Sequence, residues 1–173
     1  WRMDRRRLDA ECIRDAMLSI SGQLDPKAGG PGYKAGLASD FGFKQTSLQR
    51  SVYLPVFRNA LPDVFEAFDF ADPSVSTGRR NSSTVAPQAL FMMNNPFVID
   101  QARETARHLL ADKSLTDEGS RIAQAYRLTL GRLPDARESA TALAFLKGSQ
   151  DTEAALAQLV HALFASTDFR YEN

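Results

Sequence analysis

Cysteine and histidine are scarce in this sequence of 173 residues: Cys12 is the single cysteine, and there are two histidines. One cysteine excludes an intrachain disulfide, and the sequence contains neither a CxxCH haem-attachment motif nor the spacing of a Cys/His zinc site. The sequence therefore predicts no metal site and no cofactor within this chain. Cys12 falls on the apolar side of a helical pattern that also carries Ile13 and Met17, and we expect a small buried side chain there. Arg14 is expected on the polar side of the same pattern, and Asp4 at its N-cap.

The sequence also lacks an excess of either charge and any long apolar run. Lysine and arginine together number 21, as do aspartate and glutamate. No net field therefore draws the chain to nucleic acid or to anionic lipid. No apolar run approaches the roughly 18 residues needed to cross a bilayer, and no secretory signal pattern opens the chain. We expect neither a nucleic-acid partner nor a membrane span.

The opening residues already belong to a charged helical pattern, and the first residue is Trp1 rather than methionine. We therefore expect the chain to be a fragment of a larger protein, with any targeting signal in the missing upstream part. Its length is that of about one domain. We interpret residues 1–173 as a single helical domain.

Apolar residues at helical spacing occupy most of the chain. The clearest patterns cover residues 5–21, 117–130, 134–147 and 151–166. The connections between the later helices are short, which favours antiparallel neighbours. The predicted fold is mainly α: an irregular bundle of about six helices, with a helical hairpin core over residues 84–166.

Two stretches do not follow the helical pattern. Residues 22–49 contain six of the ten glycines and are predicted to form a long flexible loop. Its GGPGYKAG run lacks the spacing of the phosphate-binding fingerprints. Residues 50–57 are the one β-like run, and Pro55 would confine it to an edge or a short extended segment.

A helix is predicted to begin near Pro62, and its acidic residues recur at every third position: Asp63, Glu66, Asp69 and Asp72. A calcium site needs several converging oxygens, and a strict period of three drifts around a helix. The acidic run is therefore interpreted as a solvated face. Its inward residues are predicted to be Val64, Phe65 and Phe68.

The polar run GRRNSST, residues 78–84, is the strongest candidate for chemistry. Arg79 and Arg80 present forked donors just ahead of a predicted helix start, where free backbone N–H groups favour anions. With Gln88 they would form a binding site for a carboxylate, a sulfate or a phosphate. No catalytic residue is assigned.

A structural interpretation of the same run is favoured, because hydroxyl side chains usually cap helices. In this interpretation Arg79 and Arg80 pair with two upstream carboxylates, Asp69 and Asp72. The helix is then capped from Ser82, Ser83 or Thr84.

The helix that follows is predicted to face inward with four residues: Ala89, Leu90, Phe91 and Met93. It should end at Asn94, after which Asn95 caps the next helix and Pro96 occupies its first position. The residues of that next helix predicted to face inward are Val98, Ala102, Ala106, Leu109 and Leu110. The motif NNP is therefore interpreted as a boundary between two helices.

The two histidines give no catalytic arrangement. His108 is predicted on the polar face of its helix and His161 at the boundary of an apolar stripe. Glu104 and His108, four residues apart, supply two metal ligands, which are too few for a site. Neither histidine has a nucleophile and a carboxylate at a spacing that predicts a triad.

Several long phrases occur in an order that resembles a known family. They include RSVYLPVFRNALPDVFEAFDFADPS at residues 50–74 and RRNSSTVAPQALFMMNNPFVIDQARETARHLL at residues 79–110. The chain resembles, over roughly residues 6–172, the planctomycete-type domain of unknown function at the C-terminus of large cytochrome-c-associated proteins. Its most recognisable phrase corresponds here to Arg79, Arg80, Ser83, Thr84, Pro87, Gln88, Ala89, Leu90, Asn94 and Pro96.

The resemblance implies an extracytoplasmic protein whose missing upstream part carries haem, and it implies no established activity. The leading interpretation is a non-catalytic helical module. Such a module would dock onto upstream domains of the same polypeptide, or onto a protein or glycan partner. The alternative is an enzyme domain or binding module acting on a sulfated or carboxylated carbohydrate.

Overall fold

The fold consists of helices packed around one hydrophobic core, together with a pair of short strands. The computed structural model describes residues 4–30 and 43–172, so the middle of the predicted glycine-rich loop, residues 31–42, lies outside the described residues. The helices are α1 (Ala10–Ile20), α2 (Asp63–Ala67), α3 (Ala86–Asn94), α4 (Pro96–Ala111), α5 (Glu118–Leu130), α6 (Ala136–Lys147) and α7 (Thr152–Ala165). The strands β1 (Arg6–Arg7) and β2 (Tyr171–Glu172) form a two-stranded antiparallel sheet. The prediction of a mainly α, multi-helix fold is confirmed.

Helices α4 and α7 form the most extensive contact in the core. Ala102 and Ala106 are buried one turn apart on α4, and their small side chains allow close approach. Val160 and Phe164, both fully buried, lie one turn apart on α7. The other long helices surround this pair. Among residues 4–30 and 43–172, no helix combines the length and the apolar character that crossing a bilayer requires.

Local capping signals define the starts of the later helices. Asn95 Oδ1 accepts a hydrogen bond from the Phe97 backbone N–H at 2.9 Å, and Pro96 occupies the first turn of α4, as predicted. Helices α5, α6 and α7 begin after aspartates whose carboxylates each accept a backbone N–H: Asp117, Asp135 and Asp151. These ends need no tertiary partner, because a cap satisfies the free N–H groups within its own turn.

The first helix is shorter than predicted, because its expected first turn is a strand. Arg6 pairs with Glu172 and Arg7 with Tyr171, and the Leu8 N–H donates to the Arg170 carbonyl at 2.8 Å. Residues 5–9 are therefore not helical, and Asp4 does not cap α1. The strand partner is far away in sequence, so local periodicity could not reveal it.

The predicted extended segment at residues 50–57 is not a strand. Ser51–Tyr53 form a single 3-10 turn, and the backbone of Phe57 forms an isolated bridge to Ala60. The apolar residues here include Val52, which is 69% exposed. A β-like composition without a neighbouring strand to pair with does not produce a sheet.

Two assignments on α1 need correction, although Ile13 and Met17 on its predicted apolar stripe are fully buried. Cys12 is exposed, whereas Arg14, expected on the polar side, is buried. Partial burial and the nearby carboxylates raise the pKa of the Cys12 thiol, because both disfavour the thiolate. Cys12 is therefore a surface thiol of low reactivity rather than a core residue.

The orientation of α3 also differs from the prediction. Leu90 and Met93, expected to face inward, are 58% and 57% exposed. Gln88 and Met92 are fully buried in their place. On α2, by contrast, the inward residues are buried as predicted: Val64, Phe65 and Phe68.

The turn after α1 supplies a stability test. Gly22 has a φ of +73°, and a Cβ at this position would lie 3.2 Å from His108 Nδ1. We expect Gly22→Ala to lower the free energy of unfolding by about 1.5 kcal/mol, because the left-handed backbone disfavours alanine and His108 must shift. Gly131→Ala is the control, since Gly131 has a φ of +66° and open space around its Cβ. Urea unfolding should give about 1 kcal/mol for the control, and a larger loss there than at Gly22 would contradict the His108 contact.

Candidate functional site

Asp69 joins three separate parts of the chain just after α2. Its backbone has a φ of +56°, a left-handed conformation that non-glycine residues seldom adopt. Its carboxylate accepts the Ser83 backbone N–H at 2.8 Å and the Ser83 hydroxyl at 2.8 and 2.9 Å. Arg7 Nη2 donates to the same carboxylate at 2.9 Å. We call the group formed by Arg7, Asp69, Ser83 and Gln88 the Asp69 cluster.

The charge that opposes Asp69 is almost completely buried. The Arg7 side chain is 4% exposed, and Nη2 also contacts the Phe68 carbonyl at 3.3 Å. The guanidinium carbon lies 5.6 Å from the centre of the Phe68 ring. Arg7 Nε and Nη1 are buried without an acceptor among the described residues. The ion pair with Asp69 is therefore the main interaction that offsets the loss of water around the buried Arg7 charge.

The environment keeps the Asp69 carboxylate ionised. Burial by itself raises the pKa of Asp69, but the hydrogen bonds from Ser83 and the charge and hydrogen bond of Arg7 together outweigh it, so the pKa lies below its ordinary value. A carboxylate with four hydrogen-bond contacts and a lowered pKa holds no proton to donate near neutral pH. The geometry therefore fits a structural anchor better than a general acid.

The Ser83 and Thr84 hydroxyls, which were predicted to cap α3, form hydrogen bonds with distant side chains instead. Ser83 donates to Asp69, and the Thr84 hydroxyl lies 2.6 Å from the Tyr171 hydroxyl near β2. The N-cap position of α3 is Val85, whose backbone N–H reaches Gln88 Oε1 at 3.5 Å. The prediction of a serine or threonine cap is therefore wrong. The reason is that a distant carboxylate and phenol compete for these hydroxyls more effectively than the helix end does.

Gln88 is buried beneath the segment of residues 83–85 that leads into α3. Its side chain has no solvent exposure, and Nε2 contacts the Ser83 hydroxyl at 3.4 Å. A ligand in solvent cannot reach this amide while the segment stays in place. The Gln88 amide can occupy a core position because both its oxygen and its nitrogen have hydrogen-bond partners, the Val85 backbone N–H and the Ser83 hydroxyl.

Arg80 pairs across to α1. Its Nη1 donates to both carboxylate oxygens of Glu11, at 2.7 and 2.9 Å, and its guanidinium lies 4.8 Å from the centre of the Phe70 ring. Arg79, next to it, is exposed. The expected pairing of these arginines with Asp69 and Asp72 is wrong for Arg80, and Asp69 pairs with Arg7 instead. Asp69 is therefore not part of a solvated acidic face.

The three residues of the predicted anion site do not converge in this structure. Arg80 is neutralised by Glu11, Gln88 is buried within the Asp69 cluster, and Arg79 faces solvent. Anion binding by these residues stays a prediction. It would require Arg80 to leave Glu11 and the segment over Gln88 to move.

The histidines take part in packing contacts. His161 Nε2 lies 2.9 Å from the Met92 carbonyl, which links α7 to α3. His108 is exposed and lies beside Gly22, while Glu104, its neighbour on the same helix, binds Arg107 at 2.6 Å. Among the residues that the structure describes, no three potential ligands gather as a metal site would require.

A cavity of about 490 Å³ lies between α1, the segment after residue 43, and the start of α4. We call it the Arg14 cavity. Aromatic and aliphatic side chains form much of its wall, including Phe43, Phe91 and Phe97. Polar side chains at its wall include Arg14, Lys44, Gln45, Asp63, Asn95 and Gln101.

Arg14 is the functional candidate that the sequence did not reveal. It is 5% exposed, and its Nη1 donates to the Gln49 carbonyl at 2.9 Å and contacts the Ser51 hydroxyl at 3.3 Å. Its Nη2 donates to the Ser47 carbonyl. Burial lowers the pKa of the guanidinium, partly offset by neighbouring Asp15. In sequence, the only indication is an arginine directly after Ile13 on the apolar stripe.

A family model named PSD1, described as "Protein of unknown function (DUF1553)", matches residues 1–146. The resemblance to a domain of unknown function is thereby confirmed. No curated protein and no solved structure matches the chain. The matched residues include the whole Asp69 cluster and all the described residues that line the Arg14 cavity, whereas α7 lies beyond them.

Proposed function

This chain belongs to the PSD1 family of proteins of unknown function, and we propose that it is a non-catalytic helical module that docks onto other domains of a longer polypeptide. The proposal follows the family resemblance in placing that polypeptide outside the cytoplasm and in association with a cytochrome-c-like module that carries haem. An export signal and a haem-attachment motif upstream of this chain would support that setting, and the absence of both from the full-length sequence would oppose it.

One observation carries the docking proposal: α3 exposes two large apolar side chains. Leu90 and Met93 are 58% and 57% exposed, and residues three apart share one face of a helix. We call this pair the α3 ledge. The opposite side of α3 is anchored by Met92, which is fully buried, so the helix is held with its apolar ledge outward. Clustered exposed apolar side chains favour a contact with another protein surface.

The polar contacts of the segment that leads into α3 support the same proposal, because they hold that segment in place. Ser83 and Arg7 bind Asp69, and Arg80 binds Glu11. Each of these contacts links residues far apart in sequence. A segment fastened in this way presents α3 rigidly, which lowers the entropic cost of docking.

The docking proposal predicts a selective loss of binding in a double variant of the ledge. Leu90→Gln with Met93→Gln should weaken binding to the separately produced upstream part of the parent polypeptide by at least about tenfold, because two apolar contacts are lost. Calorimetric titration measures the affinity. The free energy of unfolding should change by no more than about 0.5 kcal/mol, since both side chains are exposed.

The matched control replaces two exposed leucines on other elements. Leu128→Gln with Leu133→Gln changes side chains that are 38% and 55% exposed and should leave the affinity unchanged. Equal binding by the ledge variant and the unaltered chain would refute docking through α3. An equal loss in the control would show that the effect is general and not specific to the ledge.

The alternative function, binding or cleavage of an anionic carbohydrate, draws on the exposed Arg79 and its neighbour Arg80. Under the docking proposal, Arg79→Ala with Arg80→Ala leaves the retention of the chain on a sulfated polysaccharide column unchanged. A clear loss of retention that follows Arg79 would favour the alternative. Replacement of Arg80 alone removes the ion pair with Glu11. Its effect therefore measures the structural role of that pair and does not test carbohydrate binding.

A further inference from the structure

We propose that the Arg14 cavity binds a small organic carboxylate that carries an apolar ring or chain. The site is separate from the α3 ledge and from the arginines at positions 79 and 80. A volume of about 490 Å³ lies within the range of small-molecule sites in proteins. The cavity is therefore large enough to bury a ligand with a six-membered ring and its carboxylate.

The wall of the cavity supplies an apolar surface for one side of such a ligand. Phe43, Phe91 and Phe97 come from three different segments and all line it. Val64, at the start of α2, adds a buried aliphatic side chain. An apolar ring packed there would remove both its own surface and these side chains from water.

The polar part of the wall has more donors than it uses. Gln45 Nε2 is buried without an acceptor among the described residues, while Gln45 Oε1 already accepts the Ser47 backbone N–H at 2.9 Å. Gln101 is 4% exposed, and its Oε1 accepts the Ser21 hydroxyl at 2.7 Å. Both side-chain amides therefore have their oxygens engaged and present nitrogens as donors. A buried donor without an acceptor is costly, and a ligand oxygen would remove that cost once the Gln45 amide, whose Nε2 is now buried, turns toward the cavity.

The charges at the wall favour an anion over a neutral ligand. Arg14 and Lys44 are cationic, and Asp63 is the one carboxylate lining the cavity among the described residues. The Asp63 carboxylate is exposed and accepts Asn95 Nδ2 at 3.3 Å. Asp15, which faces Arg14 at 3.4 Å, is itself held by the Ser51 backbone N–H and hydroxyl. The described residues that line the cavity therefore carry a formal charge of +1, and Asp15, outside the wall, offsets part of the Arg14 charge. The site is partly removed from water, which strengthens these interactions.

Benzoate is a suitable probe, and benzyl alcohol is its neutral counterpart of similar shape. We expect saturable benzoate binding with a dissociation constant in the low millimolar range or tighter. The binding is measured from the chemical-shift changes of the side-chain amide NMR signals of Gln45 and Gln101. Benzyl alcohol should bind at least about fivefold more weakly, because it lacks the charge that Arg14 and Lys44 attract. Absence of saturable benzoate binding, or equal affinity for the two probes, would overturn the proposal.

Two variants separate ligand recognition from folding. Gln45→Leu removes the unsatisfied donor together with the acceptor of the Ser47 backbone N–H. It should weaken benzoate binding about tenfold while lowering the free energy of unfolding by no more than about 1 kcal/mol. Lys44→Gln changes an exposed side chain and should weaken benzoate binding severalfold while reducing its salt dependence. Gln158→Leu, in the groove between α4 and α7, is the matched control and should bind benzoate normally. Unchanged benzoate affinity in both cavity variants would refute the assignment, even if one of them unfolded more easily.

Discussion

Replacement of Asp69 by alanine should lower the free energy of unfolding by about 3 kcal/mol, because it leaves a buried cation without its partner. The Arg7 side chain is 4% exposed and its Nε and Nη1 have no acceptor among the described residues. Loss of the carboxylate would also remove the acceptor of the Ser83 backbone N–H and hydroxyl. Chemical denaturation followed by circular dichroism measures the loss.

Asp69→Asn is the matched variant for the charge. Asparagine tolerates the left-handed backbone at this position at least as well as aspartate, and its amide oxygen still accepts the Ser83 N–H. We expect a smaller loss of about 1–2 kcal/mol, which reports the interaction with the Arg7 charge. If Asp69→Ala cost no more than a typical surface substitution, Asp69 would not be the anchor of Arg7.

The same pair predicts how stability depends on pH. The pKa of folded Asp69 lies below its ordinary value of 3.8. The stabilisation is therefore complete above the unfolded pKa and is lost as the pH falls through the folded pKa. Asp69→Asn should lose less stability than the unaltered chain as the pH falls below about 4. Parallel pH profiles for the two proteins would contradict the lowered pKa.

Arg14→Met should have a comparable effect, again about 3 kcal/mol, because several buried acceptors lose their donor together. Arg14 holds the carbonyls of Ser47 and Gln49 and contacts the Ser51 hydroxyl. Methionine preserves much of the apolar stem but donates no hydrogen bond. Hydrogen exchange should show faster opening in residues 45–51 than in α4, since the lost contacts lie in that segment.

The control for Arg14 is a nearby arginine on the surface. The Arg50 side chain is 60% exposed and lies 3.9 Å from Asp15. Arg50→Met should therefore change the free energy of unfolding by no more than about 0.5 kcal/mol. Equal effects at the two positions would show that the buried hydrogen bonds of Arg14 contribute little.

The helices from α4 onward could be predicted because their signals are local. Asn95 and the aspartates before α5 to α7 cap backbone groups only a few residues away. The buried positions on α4 also follow the helical period, as at Val98, Ala102 and Ala106. Such signals act within a single turn, so the order of residues along the chain is sufficient to read them.

The Asp69 cluster and the separate pair of Arg80 with Glu11 could not be predicted in the same way. Arg7 and Asp69 are 62 positions apart, and Arg80 and Glu11 are 69 apart. Several carboxylates were available to each arginine in the sequence, including Asp72, which is closer along the chain than Glu11. The choice among them depends on which groups folding brings within about 3 Å in a dry environment.

Composition and periodicity were thus enough to establish a mainly α domain, the capped starts of its later helices and the buried faces of α2 and α4. Three-dimensional packing was needed to show that Arg14 and Gln88 lie inside, that Leu90 and Met93 lie outside, and that the segments near the two ends of the chain pair as strands. The physical reason is distance along the chain. Capping and amphipathic spacing act over a few residues, whereas burial of a particular helix face and pairing of a particular charge depend on neighbours that only the folded chain supplies.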